Sequence, residues 1–75
     1  MRPESQTFIV VRGKLAVRLH ELRQERGLSQ EELADLAGCH RTYVGMLERK
    51  LGNPSLAVIA ALAEALNVDV PRLLR

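Results

Sequence analysis

The run from His40 to Arg49, HRTYVGMLER, holds the side chains best suited to chemistry, and that chemistry is recognition rather than bond-making. A guanidinium at Arg41 can donate two parallel hydrogen bonds to guanine O6 and N7, worth ~1–3 kcal/mol of discrimination. Thr42 can meet a thymine methyl or a phosphate. Met46 offers either an apolar contact to DNA or half-buried filler. The Tyr43 ring suits the edge of a core with its hydroxyl on a phosphate. Gly45 removes bulk and would let its helix sit deep in a groove, at some cost in helix stability. Gln30, Asn53 and Ser55 fall at expected helix starts, where side-chain polar groups and free backbone N–H groups together grip phosphates. Arg49 and Lys50 lie close by. Capping or plain solvation is the competing reading for each of these polar residues.

Bond-making chemistry has no comparable support. Cys39 and His40 are adjacent, a spacing that seldom lets a nucleophile meet its base. Cys39 reads as a small plug between two helices; thiol reactivity, or redox and metal sensing with His40, is the minor alternative. Glu31 and Glu32 stand at a helix start, where carboxylates complement the helix dipole. No phosphate loop, HExxH or CxxC occurs. The sequence therefore predicts no enzyme, no metal, no cofactor and no small-molecule ligand.

Stepping outward, two helices must position these residues. Ser29 with Glu32 forms a capping box. Leu33, Leu36 and Ala37 supply an apolar face, and Gly38 suits a left-handed stop. A second run follows with Val44 and Leu47 inward, and the pair spans 29–49. Two helices joined by a short Gly-containing turn are a helix-turn-helix signature. Upstream, Phe8, Val11, Leu15, Leu19 and Leu22 recur at helical spacing, with Thr7 as a plausible N-cap. Ile9-Val10-Val11 before Gly13 admits a short strand instead, but the five-point periodicity favours one long helix closed by Gly27. Downstream, Ala57, Ile59, Ala60, Leu62, Ala63 and Leu66 predict a fourth helix, the most buried of the set, capped by Asn53 or Ser55 and stopped at Asn67. Asp69 and Pro71 open a short fifth helix over Arg72 to Leu74.

These elements must fit one small domain. At 75 residues the chain buries only ~60% of its unfolded surface. One Phe, one Tyr and no Trp disfavour a β fold and point to all-α architecture. A single Cys makes no internal disulfide, which leaves oligomerisation as the staple. Residues 1–6 are expected to be a flexible tail and 7–75 the domain. No apolar run is long enough to span a membrane, and no signal peptide is evident, so the expected location is the cytoplasm, associated with the nucleoid. The formal net charge is +2, with cations gathered in residues 1–26 and around Arg41, Arg49 and Lys50. Such clusters suit phosphates, though solvated helix faces look alike. Glu48 has no basic residue three or four positions before it. Arg23 on the first helix is its candidate partner, in a pair that would pin that helix to the third.

SQEELADLAG, RTYVGMLER, NPSL and ALAEALNV, in this order and spacing, resemble the lambda-repressor-like (XRE) helix-turn-helix family over roughly Lys14 to Leu74. RTYVGMLER further resembles the controller proteins of restriction–modification systems, small dimeric regulators of endonuclease expression. The resemblance implies a compact five-helix domain with the third helix in the major groove. It implies base contacts by Arg41 and Thr42, with Met46 a further candidate, phosphate contacts by Gln30, Tyr43, Asn53 and Ser55, and the Arg23–Glu48 link; Arg49, by its charge and position, is a further expected phosphate contact. It also implies a homodimer on a two-fold operator through Leu56, Val70, Leu73 and Leu74. The chain departs from the family pattern at Lys50, where Gly is common, and at Cys39-His40. The partners expected are double-stranded DNA and a second copy of the chain, with RNA polymerase a further candidate. Rival readings are a phage-type repressor, an antitoxin, or a protein-interaction module that uses the same helices as scaffold.

Overall fold

The computed structural model describes residues 4–75 and resolves them into five helices: α1 Gln6–Glu25, α2 Gln30–Ala37, α3 Arg41–Glu48, α4 Leu56–Ala65 and α5 Val70–Leu74. Residues 8–13 are helical, so the periodic reading wins over the strand. Ser5, not Thr7, caps α1: its hydroxyl accepts from the Phe8 N–H at 3.0 Å. Gln6 and Thr7 are already inside the helix, and the cap must stand outside it. Glu4 is tied to Arg12 by two 3.1 Å hydrogen bonds. Of the expected tail, 1–3 lie outside the described residues. Arg12 also donates to the Gly52 carbonyl at 2.9 Å and lies 4.9 Å over the Phe8 ring, which fastens the early part of α1 to the α3–α4 loop.

The sequence sets the ends of the remaining helices. The Ser29–Glu32 capping box is formed in both directions, each bond 2.9 Å. Gly38 ends α2 at φ 75°, and the Cys39 N–H closes back on the Ala34 carbonyl at 2.9 Å. Ser55 rather than Asn53 caps α4. Asn67 takes φ 58° beyond α4, and Asp69 caps α5 with Pro71 in its first turn. Lys50 also adopts a left-handed backbone, φ 63°, and the Leu51 N–H returns to the Met46 carbonyl. The loop thus follows a glycine-type path with a lysine in it, against a steric cost of ~1–2 kcal/mol.

The core joins Leu15, Leu19 and Leu22 of α1 to Leu33 and Ala34 of α2, Val44 and Leu47 of α3, Leu62 and Ala63 of α4, Leu66 and Leu73. α1 lies against α3 and α5, and α2 against α3 and α4. Three expectations change. Leu36 is 62% exposed, because Leu33 and Ala34 face the core and turn it to the rim. α4 is not the most buried helix: Leu56 is 74% exposed, and Ala57 and Ala60 also face outward. α4 is apolar on nearly every side, which by pattern alone predicts burial, but α2 and α5 cover only part of it. Leu73, expected at a dimer interface, is 0% exposed and completes the core between α5 and α1, so no partner can reach it. Among the described residues no helix is long and apolar enough to cross a membrane.

Candidate nucleic-acid interface

α3 presents its first turn outward because its apolar residues sit one turn on. Val44, Gly45 and Leu47 are buried, which leaves Arg41 and Thr42 exposed at the N-terminal end. His40 caps the helix: its Nδ1 accepts from the Thr42 N–H at 3.1 Å. The imidazole therefore does the work a serine hydroxyl does at α1 and α4. Arg41 and Thr42 share an open cleft with Gln30, Glu31, Gly45 and Arg49. Across it Arg41 Nη1 lies 3.6 Å from Glu31 Oε2, both side chains about two-thirds exposed. That pair adds little stability at such exposure. It leaves the guanidinium free to exchange one partner for another.

The cleft connects through Gln30 to Glu48, whose side chain is only 6% exposed. Arg23 grips it with two hydrogen bonds, Nε to Oε2 at 2.7 Å and Nη2 to Oε1 at 2.9 Å, and donates a third, from Nη1, to the Leu28 carbonyl at 2.8 Å. His20 Nδ1 stands 3.0 Å from Oε1, and Gln30 Nε2 donates to the same oxygen at 3.2 Å. One carboxylate thus ties α1, α2 and α3 together. Burial pushes the Glu48 carboxyl up, but the bonds from Arg23, His20 and Gln30 outweigh it and hold the group below its ordinary value. The Glu48 hydrogen bond in turn raises Arg23. Sequence reasoning had only the Arg23–Glu48 part of this cluster. His20 could have been found, since it lies one turn before Arg23 on the same face of α1.

The other proposed contacts are dispersed. Tyr43 is half-buried against the core, and Arg49 is exposed at the cleft edge. Asn53 is exposed beyond α3, and the Ser55 hydroxyl is occupied by its cap. Met46 does not join Arg41 and Thr42 in the cleft. It is half-buried, and its terminal methyl presses on the α3–α4 loop, where a Cβ on Gly52 would come within 2.9 Å. Val70 and Leu74 are half-buried and packed on the core. Burial pushes the Cys39 thiol up, the opposite of what an activated thiolate needs, and it packs beside the core as a plug. Among the described residues no three His, Cys, Asp or Glu side chains gather as metal ligands.

The helix-turn-helix family model matches residues 19–73. The chain belongs to that helix-turn-helix family. It is 45% identical over 67 residues to the control protein C.SmaI of Serratia marcescens, covering 89% of this chain and 80% of that one. It shares 44% identity over 64 residues with a hypothetical transcription factor of Neisseria meningitidis, over 85% of this chain and 60% of that one. The restriction–modification controller C.AhdI of Aeromonas hydrophila superposes with a TM-score of 0.79 at 48% identity, over 83% of this chain and 94% of that one. The biofilm regulator SinR, solved in complex with DNA, superposes with a TM-score of 0.77 at 35% identity, over 81% of this chain and 98% of that one. This chain is accordingly a DNA-binding transcription regulator built on the helix-turn-helix. The motif occupies α2 and α3, and the Glu48 cluster lies behind it.

Proposed function

We propose that this helix-turn-helix protein is a controller of restriction–modification gene expression, acting as a homodimer on a two-fold DNA operator. The observation that carries the reading is the first turn of α3: Arg41 and Thr42 stand exposed in a cleft beside Gln30 and Arg49, on a helix that the Glu48 cluster anchors from behind. Arg41 reads a guanine and Thr42 a neighbouring base or its phosphate. The N–H groups and side chain of Gln30 at the start of α2, with Tyr43, Arg49, Asn53 and Ser55, hold the phosphates on either side. Residues 7–75 work as a single DNA-binding domain. A second copy covers the outward face of α4, led by Leu56, with Val70 and Leu74 beside it. The relatives that support the regulatory role are the control and controller proteins named above. RNA polymerase is a further candidate partner for such a role.

Selection of the protein on random duplexes tests the proposal. The expected product is an inverted repeat whose half-sites lie about one helical turn apart, ~34–36 Å. Binding should fall steeply with salt as counterions are released. Equal, weak affinity for every duplex would overturn it.

A further inference from the structure

We propose that Gly45 and Glu48 are positioning residues for Gln30, locking its side chain across the base of α3 before DNA arrives. This rests on the reading of the α2–α3 cleft as the DNA face.

Gln30 is the first residue of α2, and its side chain crosses to α3. At one end Nε2 donates to Glu48 Oε1 at 3.2 Å. An ionised carboxylate only accepts, so the amide can present only its nitrogen there. At the other end Oε1 falls 3.3 Å from the point a Cβ of residue 45 would occupy, and Cδ lies 3.9 Å from it. Arg49 Nη1 is 3.9 Å from the same point. Gly45 sits in mid-helix, where glycine costs stability, and its backbone needs no left-handed φ. The space above it is filled by the protein's own glutamine and arginine, and Gly45 is buried beneath them. The missing methyl thus makes a trough for Gln30.

The remaining amide valences, one N–H and the carbonyl oxygen, are fixed in direction beside Arg41, Thr42 and Arg49 in the cleft. A long polar side chain normally loses its rotamer freedom at the moment of binding. Here the Glu48 bond and the trough have removed it already. Glu48 therefore has two tasks: with Arg23 it holds α3 to α1, and through Oε1 it aims a DNA-facing amide on α2.

The test is a double-mutant cycle on the full chain, read as affinity for the selected operator and for a scrambled duplex. Gly45→Ala places a methyl against Gln30 and should weaken operator binding about three- to tenfold, the range for ordering one such side chain on binding. Scrambled-duplex binding should change by less than about twofold, and Tm should stay level or rise, since alanine favours the helix. In a Gln30→Ala background the same Gly45→Ala change should cost less than about twofold. Equal losses with and without Gln30 would mean that the methyl meets DNA directly, and would overturn the proposal. So would an unchanged affinity in Gly45→Ala. Should Arg41→Ala also leave operator binding unchanged, the DNA-face reading itself fails. If Arg41→Ala weakens binding while Gly45→Ala does not, only the positioning role fails.

Discussion

The Glu48 cluster and the outward face of α4 solve opposite problems in one small domain. Around Glu48 both carboxylate oxygens are occupied: Arg23 and Glu48 are 10% and 6% exposed, and three helices converge on one carboxylate. On α4, by contrast, Leu56, Ala57 and Ala60 lie exposed among the described residues. The first region is finished within a single chain, so the orientation of α3 is an intrinsic property. The second lies open, and in the proposed homodimer it is the face through which a second copy would set the distance between two α3 helices. In the proposed function, the contrast separates how a base is read from how far apart two are read.

Breaking the finished region should have the largest effect. Glu48→Ala strands the Arg23 guanidinium without its partner and should cost roughly 3 kcal/mol, measured by urea denaturation. That is a large share of the stability of a domain this size. A loss under about 1 kcal/mol would mean that the cluster is incidental. The pH dependence sharpens the same point. Glu48 is held below its ordinary value when folded, so its contribution is complete above the unfolded carboxyl range and is lost as pH falls through the folded value. The stability gap between the parent and Glu48→Gln should therefore narrow on acidification. A gap independent of pH would contradict the assignment.

The unfinished region predicts a quieter outcome for folding. Leu56 is the first residue of α4, where a carboxylate suits the helix dipole. Leu56→Asp should leave the helical signal intact and change monomer stability by no more than about 0.5 kcal/mol. It should also shift the dimer to monomer in analytical ultracentrifugation and weaken operator binding. Retained dimers would place the interface elsewhere.

Local signals in the sequence carried most of the fold. The Ser29–Glu32 box, Gly38, Asp69 with Pro71, and the spacing of Leu15, Leu19 and Leu22 depend on residues within a turn or two of one another. What escaped depends on packing between helices. Leu73 and Leu74 are neighbours of one type, and only the approach of α5 to α1 decides which is buried. Leu36 matched the helical period but lost its place to Ala34. The same holds at the site. Arg41 and Thr42 were legible as outward residues of an amphipathic helix. The convergence of His20 and Gln30 on Glu48 required three helices to meet, and the value of Gly45 appeared only once Gln30 lay across it. The cap at Ser5 was missed for a simpler reason, since Ser5 and Thr7 are equally good capping types two residues apart.

The central claim is that the first turn of α3 reads DNA sequence, and one titration addresses it most directly. Arg41→Ala and the parent protein would be compared on the selected operator and on operators changed one base pair at a time. The account predicts that Arg41→Ala loses about 10- to 100-fold in operator affinity, keeps its Tm, and no longer distinguishes bases at one guanine position in each half-site. An Arg41→Ala protein that bound with parental affinity and parental discrimination at every position would contradict it.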